Sequence, residues 1–336
     1  MATKGYNSYH GRGNVKKILG AVALVLVILG AVGFLVAQNY IVYDDAGQAH
    51  LELPNRPVKK PEPEKQELPE DQIHIEYVTP EEQLQPVEAL YAWQLPVGTL
   101  KQNPAEVLKG AFEAAAVDVK LLNGTIAYET SVEVPKEVKV EKEKTMANLQ
   151  ELLADERYMI AHMATLCDSY FVRAYHEAAF LQDNGGFWYD GDGWTWLNPT
   201  DPNVLGYITA LCKEYAELGF DEILLDYFSY PTTGRLDRCV VEGGTDRVAV
   251  LQSFAESLRS VLPEDMVLSV VIRSDVTAEY GLSPEMIEAC FDRVYIAPNV
   301  DVSALLDALP EDYDRETRTV YMTATPPESG SYLLTR

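Results

Sequence analysis

DPNVLGYITALCKEYAELGFDEILLDYFSY, residues Asp201–Tyr230, contains one helix and one strand end to end. Asp201 suits an N-cap, Pro202 the first helical position, and Gly219 a stop. Between them Leu205, Ile208, Leu211, Cys212, Tyr215 and Leu218 share one apolar face. The run Glu222–Tyr230 that follows is led by Ile223-Leu224-Leu225, the pattern of a strand covered on both faces. A capped amphipathic helix feeding such a strand predicts a parallel sheet sheathed by helices.

The same alternation extends outward in both directions. Strands are expected at Ala89–Leu95, Ala116–Lys120, Arg157–Leu166, Glu222–Tyr230, Met266–Arg273, Arg293–Asn299 and Thr317–Thr325, and Ser283-Pro284 opens a later helix as Asp201-Pro202 does. Seven such strands fit an α/β fold of the (β/α)8 TIM-barrel type better than an open doubly wound sheet. Only Ser331–Arg336 remains for an eighth, so the last strand and helix are expected to be irregular or missing.

The N-terminus has a different composition. Ile18–Ala37 (ILGAVALVLVILGAVGFLVA) carries no charge, and at about 1.5 Å per residue it can cross roughly 30 Å of hydrocarbon. A cleaved signal peptide is the rival reading, but the run exceeds an ordinary h-region of about 7–15 residues, and Gln38-Asn39-Tyr40 is a poor cleavage site. A retained single-pass anchor is therefore expected. Lys4, Arg12, Lys16 and Lys17 precede Asp44 with no acid among them, which places residues 1–17 in the cytoplasm and the part after the anchor outside the cell membrane. Residues 44–86, rich in Pro and Glu, read as a linker, and 87–336 as the barrel domain.

Of 27 Lys plus Arg, four lie before Asp44, whereas all 52 Asp plus Glu lie from there on, so the exported part carries 23 against 52, a formal −29. A surface of that sign repels phosphate backbones, and nucleic acid is not an expected partner. Cys167, Cys212, Cys239 and Cys290 are widely spaced, without CxxC or His pairing. Asp190-Gly191-Asp192-Gly193 lacks the spacing and distal Glu of a calcium loop and reads as a turn. No metal and no cofactor are expected: HExxH, a phosphate loop, GxSxG and a strand-borne GxGxxG are all missing.

In a barrel the reactive groups gather at the C-terminal ends of the strands. Asp226 interrupts an apolar strand end, where a carboxylate costs several kcal/mol unless paired or functional. Asp118 is similar, although Asp118 and Lys120 form an alternative, mutually satisfied ion pair. Asp275 follows Arg273 at a strand-to-loop boundary, where capping a turn is the plainer role. His162 and His176 read as structural histidines. Asp183–Pro199 (DNGGFWYDGDGWTWLNP) reads as a β-hairpin between Asn-Gly and Asp-Gly turns, with Trp188 and Trp196 as stacking platforms or as a small satellite core.

Several of these blocks match a known pattern. Trp196-Leu197-Asn198-Pro199, Glu217–Ile223 (ELGFDEI), Leu225–Pro231 (LDYFSYP), Ala116–Lys120 (AVDVK) with Asn123-Gly124, and Gln182–Asp190 (QDNGGFWYD) together resemble a bacterial family of TIM-barrel domains of glycoside hydrolase type. The likeness runs from about Val87 to Ala324. The chain departs from it at Ser229, where the family usually has Arg, at Leu121 and Leu122, where acids often stand, and at Ala297–Asp301, where SPMVYP is common. The resemblance implies paired-carboxylate hydrolysis of cell-wall or extracellular polysaccharide. Asp226 with Asp275 or Asp118 would be catalytic, and Trp188, Trp196, Tyr227, Tyr230, Lys120 and Asn299 substrate-binding. The three departures support the alternative of a non-catalytic glycan-binding or envelope scaffold module on the same barrel. A partner-binding ectodomain that engages no glycan is the third possibility.

Overall fold

The computed structural model describes residues 87–335, except Ala111, Glu143 and Glu242, together with two short strands near the N-terminus. The chain divides into two compact units, Met1–Tyr77 and Val78–Arg336. In the first, Ile41–Tyr43 pairs antiparallel with Ala49–Leu51, so that part of the expected linker is a strand. The expected transmembrane helix Ile18–Ala37 lies outside the described residues, as does the linker from residue 52 to 86. Among the described residues no helix is long and apolar enough to cross a membrane.

The second unit is a closed barrel of eight parallel strands. They are β1 (Tyr91–Gln94), β2 (Ala114–Lys120), β3 (Tyr158–Ala164), β4 (Glu222–Asp226), β5 (Val267–Ile272), β6 (Arg293–Ile296), β7 (Thr319–Thr323) and β8 (Ser331–Leu334). All seven anticipated strands are present. The eighth corrects the expectation of an irregular or missing last strand, because β8 pairs in register with β7 on one side and β1 on the other. Leu333 is buried in the lumen, and Ser331 ties the seam by accepting the Leu90 N–H at 3.0 Å and donating to the Glu316 carbonyl at 2.8 Å. No helix follows β8 among the described residues.

The segment Asp201–Asp226 folds as its pattern requires, although the strand expected to reach Tyr230 ends at Asp226. Helix α1 (Pro202–Leu218) starts with Asp201 accepting the Asn203 N–H at 2.7 Å and ends at Gly219, whose φ of 95° suits a residue without Cβ. Helix α2 (Arg247–Arg259) is capped by Asp246 and α3 (Pro284–Cys290) by Ser283. The anticipated regular hairpin at Asp183–Pro199 is replaced by isolated bridges and two tight reversals. Gln182 and Gly186 close one, and Asp190 and Trp194 the other. The Asn-Gly and Asp-Gly signals therefore make turns, but Phe187 between them bridges to Leu181, and Trp196 and Leu197 after them bridge to Cys167 and Ala179 instead of back to that segment.

Side chains two apart on a strand point to the same side, which stacks the lumen in layers. At the bottom Glu222 pairs with Arg293 at 2.6 Å and accepts the hydroxyls of Tyr158 at 2.9 Å and Tyr295 at 2.8 Å. Above lie apolar groups, Ala116, Ile160, Leu224, Val271 and Val320 among them. The next residues up on the same strands are Asp118, His162, Asp226 and Arg273. The polar floor and the apolar middle close the barrel, leaving only its top available for chemistry.

Removing Arg293 strands a fully buried carboxylate. Arg293→Ala is expected to cost about 3–5 kcal/mol in urea denaturation, and a loss below about 1 kcal/mol would show that Glu222 is satisfied without it.

Candidate functional site

Asp226 ends β4, and the chain turns off the strand through Tyr227, a non-glycine residue at φ 54°. That turn aims the Tyr227 N–H back at Asp226 Oδ1, at 2.8 Å. Arg273, directly after β5, grips the same carboxylate with both arms. Its Nε reaches Oδ1 and its Nη2 reaches Oδ2, each at 2.5 Å. The guanidinium also lies 4.6 Å from the centre of the Tyr227 ring. From β3, His162 Nε2 meets Asp226 Oδ2 at 3.0 Å, while its Nδ1 meets Asp118 Oδ1 at 2.6 Å. Gln94 on β1 donates to that Asp118 oxygen at 3.1 Å. One chain of contacts thus spans five consecutive strands.

Electrostatics lock the chain. Burial opposes the charged form of Asp226, but Arg273 and His162 outweigh it and bring its pKa down to about 2. Burial likewise works against a charged His162. Its hydrogen bonds to Asp118 and Asp226 win, and its pKa rises to about 9. At neutral pH the cluster therefore holds an imidazolium between two carboxylates, with Arg273 closing the far end.

Asp226 is 2% exposed and takes four N–H donors, so it has no proton to give and no open oxygen facing the mouth. Asp118 retains partial exposure, with the contacts at Oδ1. An imidazole ring stands between the two carboxylates where a pair poised for glycoside cleavage would leave space for the bond and a water.

The other candidates are placed differently. Asp275 is exposed and outside the cluster, because Arg273 takes the inward position at the end of β5. Lys120 is turned away by a register shift after Asp118 and is fully buried. It bonds Asp168 at 3.1 Å and the carbonyls of Ala164 and Cys167, so it neither pairs with Asp118 nor meets a ligand. Trp188 and Trp196 are 1% and 4% exposed, their indole N–H groups bound to the Arg235 carbonyl and the Asp190 carboxylate. They are the satellite core, not open platforms. Tyr230 is buried under Arg247, Tyr227 is half-buried beneath Arg273, and Asn299 is exposed at φ 65° after β6. Reading His162 as merely structural missed its place between the acids. The available signal was strand parity, since His162, Asp226 and Arg273 sit at matching ends of three neighbouring strands.

On the same face the loops after β2 and β3 border a half-open cavity of about 330 Å³ lined by Asn123, Ser169, Arg173, Tyr189 and Trp194 among others. Gly124 (φ 88°) lets the β2 loop close, since a Cβ there would stand 1.9 Å from Asp168 Oδ1. Among the described residues no three His, Cys, Asp or Glu side chains are grouped to hold a metal.

Residues 101–306 match the family described as "Putative glycosyl hydrolase domain". The chain belongs to this family. No curated protein matches in sequence. Among solved structures, the chain is similar to a hypothetical protein from Ruminiclostridium thermocellum, at 24% identity over 53% of this chain and 96% of that one, with a TM-score of 0.45. It is also similar to a cycloisomaltooligosaccharide glucanotransferase from Paenibacillus sp., at 12% identity over 69% of this chain and 38% of that one, TM-score 0.45. A third is the glycoside hydrolase domain of PelA from Pseudomonas aeruginosa, at 13% identity over 72% of this chain and 86% of that one, TM-score 0.42. Within the family, this chain is a divergent member.

The two shifted groups set a pH window. His162 is raised from 6.5 to about 9, so its contribution to stability is complete below 6.5 and lost as pH rises through about 9. Asp226 is lowered from 3.8 to about 2, so its contribution is complete above 3.8 and lost as pH falls through about 2. NMR titration of the His162 ring is expected to give a midpoint near 9, falling by about one unit or more in Asp118→Asn. A midpoint unchanged by the substitution contradicts the pairing.

Proposed function

We propose that this domain is a glycan-binding barrel, held outside a bacterial cell membrane by the Ile18–Ala37 anchor, that engages polysaccharide or peptidoglycan strands at its mouth without cutting them. Family membership supports carbohydrate as the ligand class. The observation that carries the non-catalytic part is the occupancy of Asp226. A retaining hydrolase needs two carboxyls about 5–5.5 Å apart, and an inverting one about 6.5–9.5 Å with a water between. Here His162 fills the space between Asp226 and Asp118, and Arg273 covers both oxygens of Asp226. The losses at Leu121, Leu122 and Ser229 fit the same reading. The exported placement rests on the sequence: an uncharged span with Lys4, Arg12, Lys16 and Lys17 before it and no Lys or Arg from 38 to 55 after it.

Hydrolysis is the second reading, favoured by the family and by the partial exposure of Asp118. One experiment separates them. The full chain in detergent is incubated with a panel of neutral and cell-wall oligosaccharides, scoring binding and released reducing ends together, beside Asp118→Asn and Asp226→Asn. Binding without turnover is the expected outcome. Reducing ends released by the wild type and lost in either variant would establish an enzyme, and no binding to any glycan would remove carbohydrate from the account.

The anchor has its own check. Deleting Ile18–Ala37 is expected to move the protein from the membrane fraction to the soluble one, whereas a shortened protein still pelleting with membranes contradicts anchoring by this span.

A further inference from the structure

We propose that the cavity between the β2 and β3 loops is a subsite for a carboxylated sugar, with Arg173 receiving the carboxylate. The inference rests on the glycan-binding reading and adds to it the charge and position of one sugar unit.

The donor inventory of the cavity leads there. Arg173 is the one charged residue among those lining it, and its guanidinium has neither an ion pair nor a hydrogen-bond acceptor among the described residues. It lies 4.9 Å from the centre of the Tyr170 ring, which steadies it at the rim. Asn123 spends its carbonyl oxygen on the Thr125 N–H at 2.9 Å, leaving the amide NH2 with no acceptor among the described residues. Ser169 is engaged: Thr195 Oγ1 gives its one hydrogen to the Asp168 carbonyl at 3.0 Å, and the Ser169 hydroxyl donates to Thr195 Oγ1, also at 3.0 Å. The indoles of this segment sort the same way. Trp188 and Trp196 donate internally, whereas Trp194, which lines the cavity, makes its backbone bond to Asp190 but has no acceptor for Nε1 among the described residues.

Three solvent-facing donors, from Asn123, Arg173 and Trp194, suit a ligand rich in acceptors, and the guanidinium fork favours a planar carboxylate. Two of the neighbouring acids are already engaged. Asp168 is taken by Lys120, and Asp190 by Trp196 and by backbone N–H groups of its own turn. In a chain of formal charge −25, a pocket whose only charge is positive is a local inversion, so an anionic sugar unit is favoured there and disfavoured over most of the surface. Phe187, Tyr189 and Trp194 supply ring faces for the apolar side of a pyranose. The volume, about 330 Å³, is at the small-ligand scale of about 300–1,000 Å³.

Titration calorimetry of the full chain with two matched pairs tests this: N-acetylmuramic acid against N-acetylglucosamine, and glucuronic acid against glucose. Each pair compares an acid with a neutral relative, and together they distinguish a cell-wall source from a uronic-acid source. The acid of one pair is expected to bind about tenfold more tightly than its neutral relative. Arg173→Gln should abolish that difference at an unchanged melting temperature, and Arg173→Lys should keep part of it. Sugars binding with no preference for the acid, or with a preference that survives Arg173→Gln, overturn the subsite and leave the glycan-binding reading standing. No binding of any of the four, nor of the longer oligosaccharides used above, overturns both.

Discussion

A carboxylate at the end of a buried strand must be neutralised, and in this barrel the neutralisation of Asp226 organises the whole upper layer. Arg273 reaches it from β5 and His162 from β3, and His162 passes the connection to Asp118 on β2. Each contact spans neighbouring strands of a parallel sheet whose backbone pairing alone does not specify what the top of the lumen holds. The lower layer solves the same problem with Glu222 and Arg293. Two charged layers separated by an apolar one pin the relative heights of β3, β4, β5 and β6, since a slip of one strand would leave a buried charge without its partner.

The same neutralisation limits the chemistry. Family membership brings glycans into view, and the top of a barrel is where such ligands are handled. Glycoside cleavage, however, depends on two carboxyls whose protonation states differ and whose oxygens face one bond. Asp226 is ionised and surrounded by N–H groups, and the Asp118 carboxylate lies beyond an imidazolium. The arrangement suits a rigid, charge-balanced floor beneath a ligand. Open donors lie instead in the neighbouring loops, where Asn123, Arg173 and Trp194 border the cavity.

Much of the architecture was legible from Asp201–Tyr230, because capping, apolar period and the apolar start of the strand all agree there. β8 was harder to read. Four residues, Ser331–Leu334, carry too little pattern by themselves, and their place is fixed by pairing with β7 and β1. At the site, Asp226 was legible because a lone acid in an apolar strand needs a reason. Its partners were not, since pairing depends on which strand ends meet in space. Arg273 at the inward position displaced Asp275 as a candidate, and the bulge between Asp118 and Lys120 sent that lysine to Asp168. Trp188 and Trp196 show the limit for aromatics, whose faces are buried or open according to how a loop folds back, which composition does not reveal.

The central claim, that Asp226 is sealed within its ion pairs while a glycan lies uncut at the mouth, is tested most directly by a crystal structure of the protein soaked with a cell-wall oligosaccharide. The account predicts an intact sugar chain above the barrel, with Arg273 and His162 still on Asp226. A cleaved product, or a glycosyl group bonded to Asp226 with Arg273 swung away, would contradict it.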